Sequence, residues 1–423
     1  MSQNNLAKIH NINAGYNDFC QITGNKSLSE VIDFGQQPLC DTLLSKEDLN
    51  KPEHYYPLKV FRNKKLGHAQ LNYTVDPSTV FYKKYPYLGG ITREVVSHHE
   101  AASKENIKMF SIEPKSLVVD VGSNDGTLLE QYLKKNMKVI GIEPTDIADI
   151  ANSRGIETIK KPFNLQVAKK IKKKYGFSKL ITSTNVFAHI ARMGDCILGM
   201  KYLMNNDSVL MIENHYMPFV IKYNQFDTFY HEHLRTYSFK SLIYLLKMYG
   251  IKIFDASVTD RYGGTIRIFA SLDQKRKTTV NYHKILQDEK FSGLYRDDIW
   301  MEFSNNIKQM KIKTLNLLTN LKKNNKTIAA NSCPGRCSTL LNYYGIGTEI
   351  IPYIGEQKGS LKIGKFLPGV HIPIVRNTKL YEDQPDFVIL LAWHYSKQII
   401  KELRARGLKS KLIIPLPDLK IIQ

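Results

Sequence analysis

The segment Phe229-Tyr230-His231-Glu232-His233-Leu234-Arg235-Thr236-Tyr237 sets ionisable and aromatic side chains next to one another. Imidazole titrates near neutral pH, so this stretch suits acid–base work on a bound substrate. A zincin is excluded, because His231 and His233 lack the helical-turn separation of His-Glu-x-x-His. Thr184-Asn185-Val186-Phe187-Ala188-His189 follows an apolar strand run and belongs at the carboxyl edge of a sheet, where ligands bind. A single histidine is usually a hydrogen-bonded structural residue. Three of them with a glutamate, beside a cofactor loop, favour proton transfer.

That loop is Leu117-Val118-Val119-Asp120-Val121-Gly122-Ser123-Asn124-Asp125-Gly126-Thr127. A buried strand ends in an acid and turns through two glycines into a helix whose first N–H groups are free. About 20 residues on, Val139-Ile140-Gly141-Ile142 ends in Glu143, the position of a ribose-binding carboxylate in nucleotide-binding sheets. The spacing Asp-x-Gly-x-x-x-Gly is wider than the dinucleotide Gly-x-Gly-x-x-Gly. It resembles the loop of Rossmann-like S-adenosylmethionine methyltransferases. Two aspartates, Asp120 and Asp125, suit a sulfonium or an amino group better than a phosphate. The cofactor-binding candidates are Asp120, Gly122, Asn124, Gly126, Glu143 and Asn185.

The elements that must position these residues are legible as hydrophobic periods. Strands are expected at Ser116–Val121, Lys138–Ile142, Lys179–Ser183 and Ser208–Glu213, with a helix over Thr127–Lys135. Strand, helix, strand with short connections predicts a parallel sheet covered on both faces. A helix at Ser238–Tyr249 leads to closing strands at Ile251–Val258 and Gly264–Ser271. Residues 275–325 read as charged helix. A second α/β pattern follows, with strands at Lys326–Asn331, Glu349–Ile354 and Asp386–Leu391. The fold class is therefore α/β, with boundaries expected at 1–75, 76–272 and 273–423.

Composition narrows the function classes. The 423 residues are 43% hydrophobic, enough for several cores, so a disordered chain is excluded. No apolar run reaches membrane-spanning length. The first eight residues lack a signal-peptide layout, and five scattered cysteines do not make a disulfide scaffold. A cytoplasmic protein, monomer or dimer, is expected. The net charge of +21 raises nucleic acid as a partner. The lysines fall on helical faces such as Lys169–Lys174, and no RNP, zinc-knuckle or helix-turn-helix signature accompanies them, so that partner is disfavoured.

Over nearly its whole length the chain resembles the S-adenosylmethionine-dependent C-methyltransferases that act on nucleotide-linked ketosugars in deoxysugar biosynthesis. The motifs are Asp33-Phe34-Gly35-Gln36-Gln37-Pro38-Leu39, Leu66-Gly67-His68-Ala69-Gln70-Leu71, Tyr85-Pro86-Tyr87-Leu88-Gly89-Gly90-Ile91-Thr92 and the glycine loop. Asn185–His189, Tyr230–His233, Arg261-Tyr262-Gly263-Gly264-Thr265-Ile266-Arg267 and Gly364-Lys365-Phe366-Leu367-Pro368-Gly369 complete them. The resemblance implies a small zinc-binding N-terminal domain, a central methyltransferase domain and a C-terminal Rossmann-like domain that helps hold the nucleotide-sugar. It implies deprotonation of the carbon beside a C4 ketone, with C3 the expected carbon, and methyl transfer to it, making a branched sugar. His233 is then the general base. Tyr230, Glu232 and His189 line the reacting centre, and Tyr85 or Tyr87 closes over it. Arg267, Lys365 and Arg336 are the candidate substrate-binding residues.

Two departures bear on these expectations. The family's paired cysteines reduce here to Cys20-Gln21-Ile22-Thr23 and a stretch without cysteine near Asn63–Leu66, so zinc is expected to be absent and no metal ligand is assigned. The turn early in the C-terminal domain reads Asn331-Ser332-Cys333-Pro334-Gly335-Arg336-Cys337, where Arg336 stands in for a lysine as a phosphate partner. Cys333 and Cys337 read as packing residues. Two other classes remain open at this point: a nicotinamide-dependent sugar dehydrogenase or epimerase, and a nucleic-acid-binding protein built on the same fold.

Overall fold

A computed structural model describes residues 3–82 and 84–423; Met1, Ser2 and Lys83 lie outside the described residues. The central sheet has seven strands: β1 Leu117–Val121, β2 Lys138–Ile142, β3 Thr158–Ile159, β4 Leu180–Thr184, β5 Val209–His215, β6 Lys252–Thr259 and β7 Thr265–Ser271. Their spatial order is β6-β7-β5-β4-β1-β2-β3. The first five are parallel, and β7 runs antiparallel between β5 and β6. All five side chains of β1 are buried, as expected for a parallel strand covered on both faces. The order reverses between β1 and β4, which puts a ligand crevice at their carboxyl ends. Those ends carry Asp120, Glu143, Asn185 and His215.

A second sheet contains β8 Ile328–Asn331, β9 Ile354–Glu356, β10 Ile374–Arg376, β11 Phe387–Leu390, β12 Lys411–Ile414 and β13 Lys420–Ile422, in the order β10-β9-β8-β11-β12-β13. Only β13 is antiparallel to its neighbour. Its crevice lies between β8 and β11. The expected strand at Glu349–Ile354 begins only where that window ends. Pro352 cannot donate to a ladder, and Glu349 instead accepts the Gly347 N–H at 3.0 Å in a turn.

The N-terminal residues form an antiparallel sheet from Leu28–Pro38, Tyr55–Asn63 and Ala69–Leu71. Its fourth strand, Arg235–Thr236, comes from the chain just after the Tyr-His-Glu-His stretch. One hydrophobic core joins Phe34 and Val60 of this sheet to Phe226 and Phe229, to Phe303 of the 27-residue helix Asp297–Lys323, and to Leu340 and Ile354. The catalytic candidates are thus clamped between three packed units. Among the described residues no helix is long and apolar enough to cross a membrane.

Candidate active site

A single cavity of about 1230 Å³ runs from the glycine loop, past the histidines, to the carboxyl edge of the second sheet. Gly122 and Gly126 both take positive φ, +77° and +79°. A Cβ on Gly122 would fall 2.4 Å from a Val186 methyl, so only glycine fits that turn. Asp120 accepts from Thr182 at 2.6 Å; burial, opposed by that bond and aided by Glu143, pushes its carboxyl up to about 7. Glu143 accepts from the Asn124 N–H at 3.2 Å and from Thr145 N–H and hydroxyl at 2.9 and 2.7 Å. Asn124 spends its amide on Gly89 and Tyr87, pinning the 87–89 segment to the loop. Asn185 keeps φ +56°, and its buried Oδ1 makes no hydrogen bond.

The reacting centre is built around His233. Its Nδ1 lies 2.6 Å from the Thr228 carbonyl, which assigns the ring proton there. That leaves Nε2 as the basic atom, accepting from the Tyr230 hydroxyl at 2.9 Å. Burial, against the pull of the Thr228 carbonyl and with Arg336 nearby, lowers the imidazole to about 4, so it is neutral at physiological pH. His189 sits edge-on at 4.7 Å between ring centres, and His215 at 5.1 Å. Burial, then the neighbouring His233, drives both well below the usual range.

Glu232 accepts from Tyr85 at 2.7 Å and from the Cys40 thiol at 3.4 Å, and lies 3.7 Å from His189. Burial and the charge of Asp41 push its carboxyl up to about 8, against the pull of Tyr85, Cys40 and Lys362. Tyr85 therefore enters the centre. Tyr87 lines the cavity farther along, its hydroxyl 3.3 Å from that of Tyr262.

The expected substrate-binding residues fare less well. Arg336 lines the cavity, but its guanidinium is held by Asp227 at 2.6 and 2.9 Å, by Gln225 and by the Tyr262 carbonyl, so it is not free to meet a phosphate. Arg267 is locked between Glu213 at 2.8 Å and Glu105 at 3.0 Å, outside the cavity wall. Lys365 is also outside it; three residues earlier, Lys362 reaches the wall and binds Asp41 at 2.6 Å. Asp41, Lys362 and His215 went unseen in the sequence. His215 ends a strand at the carboxyl edge and could have been read there by the rule that marked Asn185.

Two family models match the chain: "C-methyltransferase C-terminal domain" over residues 260–417 and "Putative zinc binding domain" over 20–81. The chain is a methyltransferase, and its residues 260–417 match the C-terminal domain of C-methyltransferases. C-methyltransferase NovU of Streptomyces niveus is 29% identical to it over 412 residues, 96% of this chain and 97% of the relative. Among solved structures, a protein of Pyrococcus horikoshii OT3 is 11% identical, with TM-score 0.36, covering 45% of this chain and 99% of its own. An S-adenosylmethionine-dependent methyltransferase of Clostridium acetobutylicum ATCC 824 is 11% identical, with TM-score 0.33, covering 42% of this chain and 92% of its own.

In this methyltransferase the region matched by the zinc-binding model keeps two turns without a metal-ligand set. Cys20 accepts from the Thr23 N–H at 3.4 Å, and the Asn63 amide oxygen accepts from the N–H groups of Lys65 and Leu66 at 3.0 and 2.9 Å. Asn63 Nδ2 donates to Cys20 Sγ at 3.4 Å, and His68 Nε2 stands 3.6 Å from that sulfur. Burial pushes the Cys20 thiol up, but His68 and Thr23 outweigh it and bring it to about 6. One thiol and one imidazole do not supply the four ligands of a structural zinc site. Cys333 and Cys337 are buried free thiols with sulfurs 3.8 Å apart.

Proposed function

We propose that this methyltransferase uses S-adenosylmethionine to methylate the carbon beside the C4 ketone of a nucleotide-linked sugar. The observation that carries the reading is the His233 geometry. Its Nδ1 proton is tied to a carbonyl, and its Nε2 faces a cavity continuous with the glycine loop.

The loop residues fit the cofactor. Glu143 stands where a ribose diol needs an acceptor, Asn185 offers an unbonded buried amide oxygen, and Gly122 leaves room beside the backbone. When bound, S-adenosylmethionine supplies an electrophilic methyl group. The chain's own residues do the rest. Nε2 of His233 takes the proton from the sugar carbon beside the ketone. Tyr230, released from Nε2 as the base is protonated, donates to the enolate oxygen, and His189 lies near enough to do the same. Glu232, in its protonated form, keeps negative charge away from that oxygen. The expectation of C3 as the methylated carbon rests on the family resemblance.

Incubation in heavy water with S-adenosylhomocysteine and a panel of nucleotide-4-ketosugars tests this. One ketosugar should exchange a single C–H beside its ketone, and with S-adenosylmethionine it should gain one methyl there. His233→Ala should abolish both while retaining S-adenosylhomocysteine. A nicotinamide-dependent product with no methyl gain would overturn the reading.

A further inference from the structure

The turn between β6 and β7, Arg261-Tyr262-Gly263-Gly264, projects a guanidinium into the wall of the same cavity. Arg261 is only 8% exposed, yet its Nε and Nη1 make no hydrogen bond. Nη2 donates to the Tyr262 hydroxyl at 2.9 Å, a neutral partner. The nearby carboxylate of Glu213 is taken by Arg267 and His98. Arg336, whose Nη1 donates to the Tyr262 carbonyl at 3.2 Å, has Asp227. A buried guanidinium with two nitrogens unpaired and no carboxylate hydrogen-bonded to it is costly unless something fills the place.

The surroundings match an anion. His99 Nδ1, His394 Nδ1 and the Tyr395 hydroxyl are buried there without hydrogen bonds, and all three residues line the cavity. His394 and Tyr395 pack on the Tyr262 ring at 6.0 and 5.9 Å. They follow β11 of the second sheet, beside its crevice, whereas Arg261 and His99 belong to the central unit. The cofactor candidates all come from the central sheet. A ligand held here must bridge both. Glu356, ending β9, occupies the ribose-acceptor position of the second sheet. His215 links this pocket to the base, 5.1 Å from His233 and 5.9 Å from Tyr262 between ring centres.

We propose that Arg261, with His99, His394 and Tyr395, forms an oxyanion pocket that takes the diphosphate of the nucleotide-linked substrate. The proposal rests on the function proposed above. Inorganic pyrophosphate and S-adenosylhomocysteine, titrated separately into the full-length protein by calorimetry, test it. Arg261→Met should weaken pyrophosphate about 10–100-fold, as expected for lost hydrogen bonds to a charged group, and leave S-adenosylhomocysteine within about twofold. Arg261→Lys should recover only part, since a point charge lacks the fork of donors. Tyr395→Phe should weaken pyrophosphate by several-fold without touching the cofactor product, which keeps the test open if Arg261→Met fails to fold.

Unchanged pyrophosphate affinity in either variant, or no uptake by the wild-type protein, overturns the pocket. Loss of S-adenosylhomocysteine alone would instead assign the guanidinium to the cofactor's carboxylate. Normal pyrophosphate behaviour with no ketosugar turned over would remove the proposed reaction and leave the pocket standing.

Discussion

Lys362 Nζ lies 2.6 Å from Asp41 Oδ1, both side chains buried, joining the N-terminal sheet region to the second Rossmann-like sheet beside Glu232. The same ammonium donates to the Cys333 carbonyl at 3.0 Å. Removing one partner of a buried pair leaves an uncompensated charge and typically costs about 3–5 kcal/mol. Lys362→Met should therefore lower stability by about that much. The double variant Asp41→Asn with Lys362→Met should recover a substantial part. Urea unfolding of both variants checks this, and equal losses in the single and double variants would contradict it.

Zinc is the second case. Asn63 and Thr23 hold hydrogen bonds around Cys20 where a metal site would need thiolates. The purified protein should carry far less than one zinc per chain by elemental analysis. The combined substitutions Thr23→Cys, Asn63→Cys and Leu66→Cys should raise it towards about one, because the two turns are already formed. Stoichiometric zinc in the wild-type protein would refute the first statement.

Glu143 is buried at the end of β2 with hydrogen bonds from Asn124 and Thr145. Glu143→Ala should weaken S-adenosylhomocysteine by about 1.5–3 kcal/mol, the range for hydrogen bonds to a charged acceptor. Calorimetry on the folded variant decides it, and unchanged affinity would move the ribose contact elsewhere.

Acid should destabilise the fold. Burial first of all lowers seven histidines: His10, His231 and His233 to about 4, His99 to about 3, and His189, His215 and His394 well below the ordinary value. Each binds its proton in the unfolded chain near pH 6.5 but later in the folded one, so its stabilisation is present above 6.5 and is lost as pH falls. Four buried carboxyls, Asp120, Glu143, Glu232 and Glu289, are raised by burial and act oppositely, losing stability as pH rises. The histidines outnumber them, so the urea midpoint should drop between about pH 6.5 and 4.5. A flat midpoint across that window would count against the buried neutral histidines.

What could be read in advance follows the range of the interaction. Asp120, Gly122, Gly126 and Glu143 lie on local strand–turn–helix patterns, and the strand at Lys138–Ile142 came out with the same ends. The Tyr230–His233 stretch is compact in sequence, so its residues meet wherever the fold puts them. Asp41 and Lys362 stand 321 residues apart, and nothing in either neighbourhood signals the other. The acids that hold Arg336 and Arg267 were hidden for the same reason: an arginine's sequence position does not show the carboxylate that will meet it. Arg261 lay inside a recognised motif, but its missing partner becomes visible only in three dimensions.

The pH dependence of turnover should be set by two neighbours in the chain. Burial holds His233 at about 4 and Glu232 at about 8. Between those values the base is neutral and the carboxyl protonated, so kcat/KM should be flat there and fall on both sides. Above about 8, ionised Glu232 stands 3.7 Å from His189, beside the oxygen where enolate charge develops, and like charge disfavours that transition state. Glu232→Gln retains a hydrogen-bonding side chain and cannot ionise, so its profile should lose the alkaline limb while keeping the acidic one. Asp41→Asn removes a charge that raises Glu232, and its alkaline limb should shift to lower pH. Profiles for the wild type and both variants would show this, and an alkaline limb that persists in Glu232→Gln would assign it to another group.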